Sequence, residues 1–432
     1  MQMSLFIYNF VMCSVLIIGF PLFLVLTILL PKWKDSILER FGILNRTLKD
    51  KIKNNINLWF HCASIGESKS IISLAKEIQN KYSKYQLVFT TTTWTGKKIL
   101  KEYFNNSTVF YLPIDIYFFM KPVVDVVKPK VLVVAETEIW PNLFYLTKKN
   151  KGNIVVVNGR ISRKSFKKYK MVKGILADVL NLVDMFGMRT EEDASFIKEL
   201  GAEPDKVIIT GDLKFESLLI NDKKSKEIIN LIKPFCYSNI IVFGSVHLSE
   251  MKILLDSFKS ILDKFKDLTL IIAPRFLDEI PHIEDLLVKY GINYIKRSKI
   301  YYNGNIQQGK REKFIIVDTT GELSYIYEIA DVAFVGGSLS NIGGHNILEP
   351  VFFGKPVLFG PYIQNFNEIA EEMKKNFIGF EVKDKEELIN KIIELLSNKD
   401  LLVKINTYSK EFIERKRGAV YKNMELIERF LI

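Results

Sequence analysis

The sequence predicts an α/β chain of two Rossmann-like domains whose parallel sheets face a central cleft, preceded by a transmembrane helix. Three observations predict it. The first thirty residues carry no charge and are dominated by Leu, Ile, Phe and Val. From residue 56 onward, short β-branched or aromatic runs alternate with segments of helical period, the rhythm of βα units. Polar motifs then fall directly after the apolar runs, where open α/β sheets hold their ligands. A chain of 432 residues exceeds one ordinary domain and suits two, with an N-terminal addition.

No charged side chain occurs from Met1 to Pro31, and the run Ser4 to Leu30 exceeds the roughly 20 apolar residues a bilayer requires. No basic residue precedes the run and no small-residue cleavage site ends it, so an uncleaved anchor is expected rather than a signal peptide. Lys32, Lys34, Glu39 and Arg40 follow at once, and the positive-inside rule places the body of the chain in the cytoplasm. The net charge of +12 favours anionic partners, and the anchor makes nucleic acid a poor one. Cys13, Cys62 and Cys236 are scattered, and His61, His247, His282 and His345 have no H-x-x-x-H spacing, so neither a disulfide framework nor a metal site is expected.

The expected organisation is an anchor over 1–31, an N-terminal domain over 32–220 and a C-terminal domain over 221–432, with the break at the charged stretch Asn221 to Glu227. Strands are predicted near Leu58 to Ala63, Gln86 to Thr91, Lys130 to Ala135, Asn153 to Val157 and Val207 to Thr210 in the first domain. The second has Ile240 to Gly244, Leu268 to Ala273, Phe314 to Asp318, Val332 to Gly336 and Pro356 to Phe359. Helices are predicted at Ser68 to Lys81 and Glu191 to Leu200, and Lys399 to Ile432 reads as one or two charged amphipathic helices.

Several segments carry candidate chemistry. Glu67, after Ser64-Ile65-Gly66, is either a base or a first-turn carboxylate complementing the helix dipole. Glu136 and Glu138 close a buried aliphatic run on one strand face, suited to acid/base work or to sugar hydroxyls. The glycine-rich run from Gly336 to Glu349 is expected to bring backbone amides close to a phosphate, with Asn346, Ile347, Leu348 and Glu349 opening the next helix and Glu349 meeting ribose hydroxyls. Pro274, Arg275, Thr320, Gly321 and Glu322 lie at neighbouring strand ends of the same half. Lys214, at the junction of the halves, is either a cation for a leaving phosphate or a solvated lysine. Arg160, Arg163, Lys164, Lys167, Lys168, Lys170 and Lys173 form a basic helix face, equally suited to anionic headgroups and to water. No P-loop, G-x-G-x-x-G or G-x-S-x-G motif occurs.

These residues fall in HCASIGE (61–67), TTTTWTG (90–96), YLPID (111–115), ETEIWPN (136–142), NGRISRKSF (158–166), GDLKFE (211–216), APR (273–275), TGELSYIYEIADVAFVGGS (320–338) and GGHNILEPVFFGKPVLFGP (343–361). In that order they resemble the 3-deoxy-D-manno-octulosonic acid (Kdo) transferases, over nearly the whole chain. The resemblance implies a GT-B fold, CMP-Kdo as donor, the phosphorylated disaccharide lipid IVA as acceptor, inversion at the anomeric carbon, an inner-membrane location and no cofactor. It also implies that Glu67 is the base, that Glu136 and Lys214 support the transition state, and that Pro274, Arg275, Thr320, Gly321, Glu322 and Asn346 to Glu349 contact CMP. Trp94, Gly159 and the Val246 and Leu248 that flank His247 depart from the usual pattern, and the last pair leaves any role of His247 open. Another nucleotide sugar, or a membrane-bound binding protein without catalysis, are the rival readings.

Overall fold

The structure, a computed structural model, describes residues 2–29, 36–53, 55–216, 222–302, 305–306 and 310–431. It divides into two compact units, Met1–Leu219 with Lys416–Ile432, and Ile220–Arg415. The expected break at 220/221 lies outside the described residues.

The first unit begins with helix α1 (Gln2–Leu29). Its seven parallel strands are β1 (Asn57–His61), β2 (Gln86–Thr91), β3 (Thr108–Tyr111), β4 (Val131–Ala135), β5 (Asn153–Gly159), β6 (Met185–Met188) and β7 (Val207–Ile209), in the order β3-β2-β1-β4-β5-β6-β7. Period-two alternation splits each strand between two cores. Trp59, Val88, Phe110, Leu132, Val134, Ile154 and Val156 pack on one face, and Leu58, Phe60, Leu87, Phe89, Val131, Val133 and Val155 on the other. Strands buried on both faces explain the continuous aliphatic runs, each large side chain contributing about 1.5–3 kcal/mol. The order reverses between β1 and β4, so the crevice beyond their carboxyl ends is where a ligand has room. Helices α2 (Ile65–Ser70) and α3 (Pro141–Lys149) start there, with Pro141 at the first helical position of α3. Helices α4 (Arg163–Met171) and α5 (Glu191–Leu200) follow β5 and β6.

The described part of α1 rests on this unit by a polar edge. Ser4 Oγ donates to Asp178 at 2.8 Å, and Asn9 and Asn142 exchange amide hydrogen bonds at 2.9 and 3.1 Å. Phe6, Phe10, Ile17 and Ile18 point outward. Among the described residues no helix is long and apolar enough to cross a membrane. The spanning helix expected over 1–31 is therefore not supported, and the described start of α1 is hydrogen bonded to the first unit through Ser4 and Asn9. Pro31, Lys32 and Lys34, used to orient the anchor, lie outside the described residues.

The second unit repeats the plan with β8 (Asn239–Val246), β9 (Leu268–Pro274), β10 (Ile295–Lys296), β13 (Phe314–Ile316), β14 (Val332–Val335), β15 (Val357–Phe359) and β16 (Gly379–Glu381), in the order β10-β13-β9-β8-β14-β15-β16. A two-strand ribbon, β11 (Tyr301–Tyr302) with β12 (Asn305–Ile306), stands apart. Every pairing in the large sheet is parallel, and the order reverses between β8 and β14. Helix α6 (Met251–Lys264) follows β8, and the short α7 (Leu348–Phe352) follows β14.

The chain end corrects the expected domain limits. Helix α8 (Ala419–Glu428) packs on the first unit, where Ala419, Val420, Met424, Leu426, Ile427 and Leu431 join the core that holds Phe60 and Phe89. Residues 416–432 therefore belong to the first unit, because their apolar face completes that sheet.

Candidate active site

In the first unit, β1 ends at a turn that α2 must cap. Ser64 is the N-cap, its hydroxyl accepting from Glu67 N at 3.2 Å while the Glu67 carboxylate accepts from Ser64 N, a capping box. The same carboxylate accepts from Ser64 Oγ at 2.6 Å and from Ala63 N at 2.7 Å. Three donors occupy three of its roughly four lone-pair positions and leave room on Oε2 for one more. Glu67 is 6 % exposed. Burial, and then the nearby Glu136, push its carboxyl above the ordinary range, against the Ser64 and amide hydrogen bonds. The residue is thus the first-turn cap and, at the same time, a pre-oriented carboxylate.

Glu136 follows β4 with φ of 59°, a left-handed conformation that costs a non-glycine residue on the order of 1–2 kcal/mol. Its carboxylate is held by Arg189, the residue after β6, which also meets Asp212 at 3.4 Å and donates through Nε to Asn158 O at 3.2 Å. Arg189 is buried, but Asp212 and Glu136 outweigh the desolvation and keep it charged. Glu138 is pushed up to about 7 by burial and by the charges of Glu67 and Glu136. Three carboxylates thus share one crevice with one fixed cation.

Lys214 lies in the short 3₁₀ turn Leu213–Phe215, which Asp212 caps by accepting from Lys214 N at 2.9 Å. Its ammonium feels burial first, then Arg189, both lowering its proton affinity, against Asp212 and Glu136, which raise it. The turn is locked from below, since Asn158 Oδ1 accepts from Leu213 N at 2.9 Å. Glu67, Glu136 and Lys214 are therefore brought into one electrostatic neighbourhood. Fully buried His61 hydrogen bonds Thr90 at 3.0 Å, and burial drives it down to about 3, so it is a neutral core residue.

In the second unit the glycine-rich loop departs from expectation. The amides of Gly337, Ser338 and Leu339 donate at 2.8, 3.1 and 2.9 Å to the carboxylate of Glu250, which is buried before α6 and also accepts from His247 N at 3.1 Å. The anion these amides approach is the chain's own. A side chain at Gly336 would collide with Ser245 O and Val246 Cα, both at 2.6 Å, so glycine here lets β8 and β14 approach each other.

The remaining residues sort by burial. Pro274, Ile347 and Leu348 bury their side chains in the core, leaving only backbone to face a ligand. Asn346 Oδ1 accepts from Leu348 N at 3.1 Å, and its amide donates to Glu349 at 3.2 Å, while Ser324 donates to Glu349 at 3.1 Å. Glu322 is forked by buried Arg297, with contacts at 3.0 Å, and accepts from Thr319 at 2.6 Å, which fixes the turn displaying Thr320 and Gly321. Gly321 needs φ of 75°, and the space beside it is open. Arg275 is exposed, with its guanidinium 5.8 Å from the Phe276 ring. Pro274, Arg275, Thr320, Gly321, Glu322 and Asn346 to Glu349 thus share the carboxyl edge of one sheet.

Sequence reasoning missed Arg189, Arg297 and Glu250. Arg189 follows a four-residue strand containing Gly187 that was too short to register, although an Arg directly after a strand was the signal recognised at Arg275. Glu250 stands three residues after His247, at capping-box spacing.

Comparison with known proteins bears on both units. Residues 35–217 match the model for 3-deoxy-D-manno-octulosonic-acid transferase (kdotransferase), and residues 247–412 match that for glycosyl transferases group 1. The chain is 30% identical to the 3-deoxy-D-manno-octulosonic acid transferase of Haemophilus influenzae, over 98% of this chain and 99% of that one. It is 33% identical to the Aquifex aeolicus transferase of the same name, over 86% and 95%. A bifunctional glycosyltransferase/methyltransferase of Fusobacterium nucleatum is 36% identical over 83% of this chain, which spans 56% of that protein. Among solved structures, a glycosyltransferase from Rickettsia africae aligns with a TM-score of 0.55 over 88% of this chain and 99% of that one, at 14% identity. UDP-GlcNAc 2-epimerase from Neisseria meningitidis aligns at 0.57 over 87% and 99%, at 13% identity. These two likenesses establish the two-domain parallel-sheet fold.

Proposed function

Since the chain belongs to the 3-deoxy-D-manno-octulosonic acid transferase family of glycosyltransferases, we propose that it moves Kdo, with inversion, from CMP-Kdo to lipid IVA in lipopolysaccharide biosynthesis. The observation that carries the reading is the Glu67 carboxylate, oriented by three donors and retaining one free acceptor position at the crevice where the strand order reverses.

A sugar hydroxyl is a weak nucleophile at neutral pH and needs a carboxylate within hydrogen-bond reach to take its proton as the bond to phosphate breaks. Glu67 fills that role, and its raised proton affinity makes it a better acceptor than an exposed glutamate. Positive character grows on the sugar ring as CMP departs, and Glu136, paired with Arg189, is suited to offset it. Lys214 in the first unit and Arg275 in the second are each a cation suited to phosphate. Thr320, Gly321, Asn346 and Glu349 offer polar contacts to the nucleoside, Glu322 shapes the turn that displays Thr320 and Gly321, and Pro274, Ile347 and Leu348 contribute backbone.

The acceptor is a lipid, and two surfaces support attachment at the cytoplasmic face of the inner membrane. One is the outward apolar face of α1. The other is α4, which buries no residue, carries Arg163, Lys164, Lys167, Lys168 and Lys170, and ends at exposed Met171 and Val172. Ser4 of α1 bonds Asp178 in the helix after α4, which places the two close together. Activity of the full chain with CMP-Kdo and lipid IVA tests the reading. The wild type should form product, and Glu67→Ala should lose at least about 100-fold in rate while CMP affinity stays within about twofold. Full activity in Glu67→Ala would remove the proposed base.

A further inference from the structure

At the point where β8 and β14 diverge, two histidines meet. His247 follows β8 and His345 ends the glycine-rich loop after β14; their Nε2 atoms are 2.8 Å apart, and the rings lie within 11° of parallel at 5.1 Å. Phe276 closes the other side of His247, edge-on at 5.6 Å. Gly337 lies beneath the pair with φ of 70°, where a Cβ would come within 3.0 Å of the His345 ring. Arg275, at the end of β9, projects its charge onto His345. Among the described residues Arg275 is the charged group that acts on His345, while the carboxylate of Glu250, beneath the backbone of His247, is committed to four backbone amides.

Two nitrogens at this distance share a single hydrogen, one donating and the other accepting. The pair can be neutral or hold one extra proton, but a second would set two N–H groups head-on and break the contact. Burial, then Arg275, then His247 drive His345 down to about 4, so His345 enters the contact as a neutral ring. A dianionic phosphate beside Arg275 would reverse that field.

We propose that His247 and His345 form a proton-binding seat for the donor's phosphate, neutral when empty and taking up one proton when a phosphomonoester dianion occupies the position beside Arg275. This rests on the reading that the second unit binds CMP. The balance fits the reaction. Cleavage of the bond between the anomeric carbon and the phosphate oxygen leaves the electron pair on that oxygen, turning a monoanionic diester into a dianionic monoester. The acceptor's proton goes to Glu67, and a proton from solvent on the histidine pair offsets the charge gained by the leaving group.

The test is calorimetric titration of the full chain with CMP and with cytidine at pH 7.5, in buffers of different ionisation enthalpy. It is paired with an NMR titration of the ring protons, which is tractable because the chain has 4 histidines. CMP should bind with uptake of about 0.5–1 proton, cytidine with none, and the apparent pKa of the pair should rise by about 2 units on saturation with CMP. His345→Gln and His247→Gln should each abolish the uptake and weaken CMP about 10-fold while sparing cytidine. Should either variant fail to fold, the wild-type ring titration decides alone. CMP binding with an unmoved titration, or with uptake that persists in both variants, overturns the proton seat. A wild type that binds neither CMP nor cytidine overturns instead the assignment of the second unit to the nucleotide.

Discussion

Arg189 balances the charge of the first unit's crevice, since its buried guanidinium meets both Glu136 and Asp212. Replacing it with methionine keeps the volume but strands two carboxylates, and Arg189→Met should cost about 3–5 kcal/mol in urea unfolding and abolish transfer. Arg189→Lys should recover part of the stability but little activity, because a point charge cannot fork to both partners. Glu67 must be ionised to accept a proton, and burial with the Glu136 charge lifts its carboxyl above the usual range. The acid limb of kcat/KM should therefore sit above that of an ordinary glutamate, with activity rising as pH increases through it. Glu138 carries the matching stability effect. With a folded pKa of about 7 against 4.5 for the free residue, its contribution is whole below 4.5 and is lost as pH rises through 7. Glu138→Gln, which mimics the protonated acid, should gain melting temperature over the wild type at pH 8 and not at pH 4.5, and equal effects at both pH values would contradict the assignment.

At the scale of elements, the loop after β14 is shaped from within by Glu250 rather than waiting for a phosphate to order it. Glu250→Ala strips the acceptor from four backbone amides, three of them buried, and should destabilise the second unit by about 3 kcal/mol or more and weaken CMP together with it. Helix α8 plays a comparable part in the first unit. Buried Asn423 sits between Thr210 Oγ1 at 3.2 Å and Asn158 N at 3.4 Å, and Asn158 in turn locks the turn that carries Lys214. Asn423→Leu should therefore lower kcat more than its cost in stability accounts for, measured as activity against melting temperature. The sequence signalled Gln86–Thr91 and also short strands such as Val332–Val335, but not Thr108–Tyr111, Met185–Met188 and Gly379–Glu381, whose pairing depends on neighbours rather than on local pattern. The helix expected over Ser68 to Lys81 is interrupted at Ile71, between Ile65–Ser70 and Ile72–Lys81. Candidate residues at strand ends were legible because apolar runs mark where strands stop. Their partners Arg189, Arg297 and Glu250 were not, because each comes from a distant element and only the fold brings it in.

For the molecule as a whole, two parallel-sheet domains divide the chemistry, the first holding the acid cluster and the second the strand-end residues assigned to the nucleotide. The C-terminal residues were placed in the second domain by their order in the chain, whereas the tertiary packing of one apolar face returns them to the first. The net charge of +12 suits the anionic donor, acceptor and membrane surface proposed for the chain, so binding to vesicles with anionic lipid should weaken steeply with salt, whereas a salt-independent association would assign the attachment to α1 alone. The central claim is that a carboxylate fixed at the first unit's crevice activates a lipid-borne hydroxyl toward a cytidylate-linked sugar. Mass spectrometry of the lipid recovered after incubation with CMP-Kdo and lipid IVA measures this most directly. Wild type should yield acceptor carrying added Kdo, and Glu67→Ala should leave the acceptor unmodified. Unmodified lipid from a folded wild type that binds CMP, or equal product from both proteins, would contradict it.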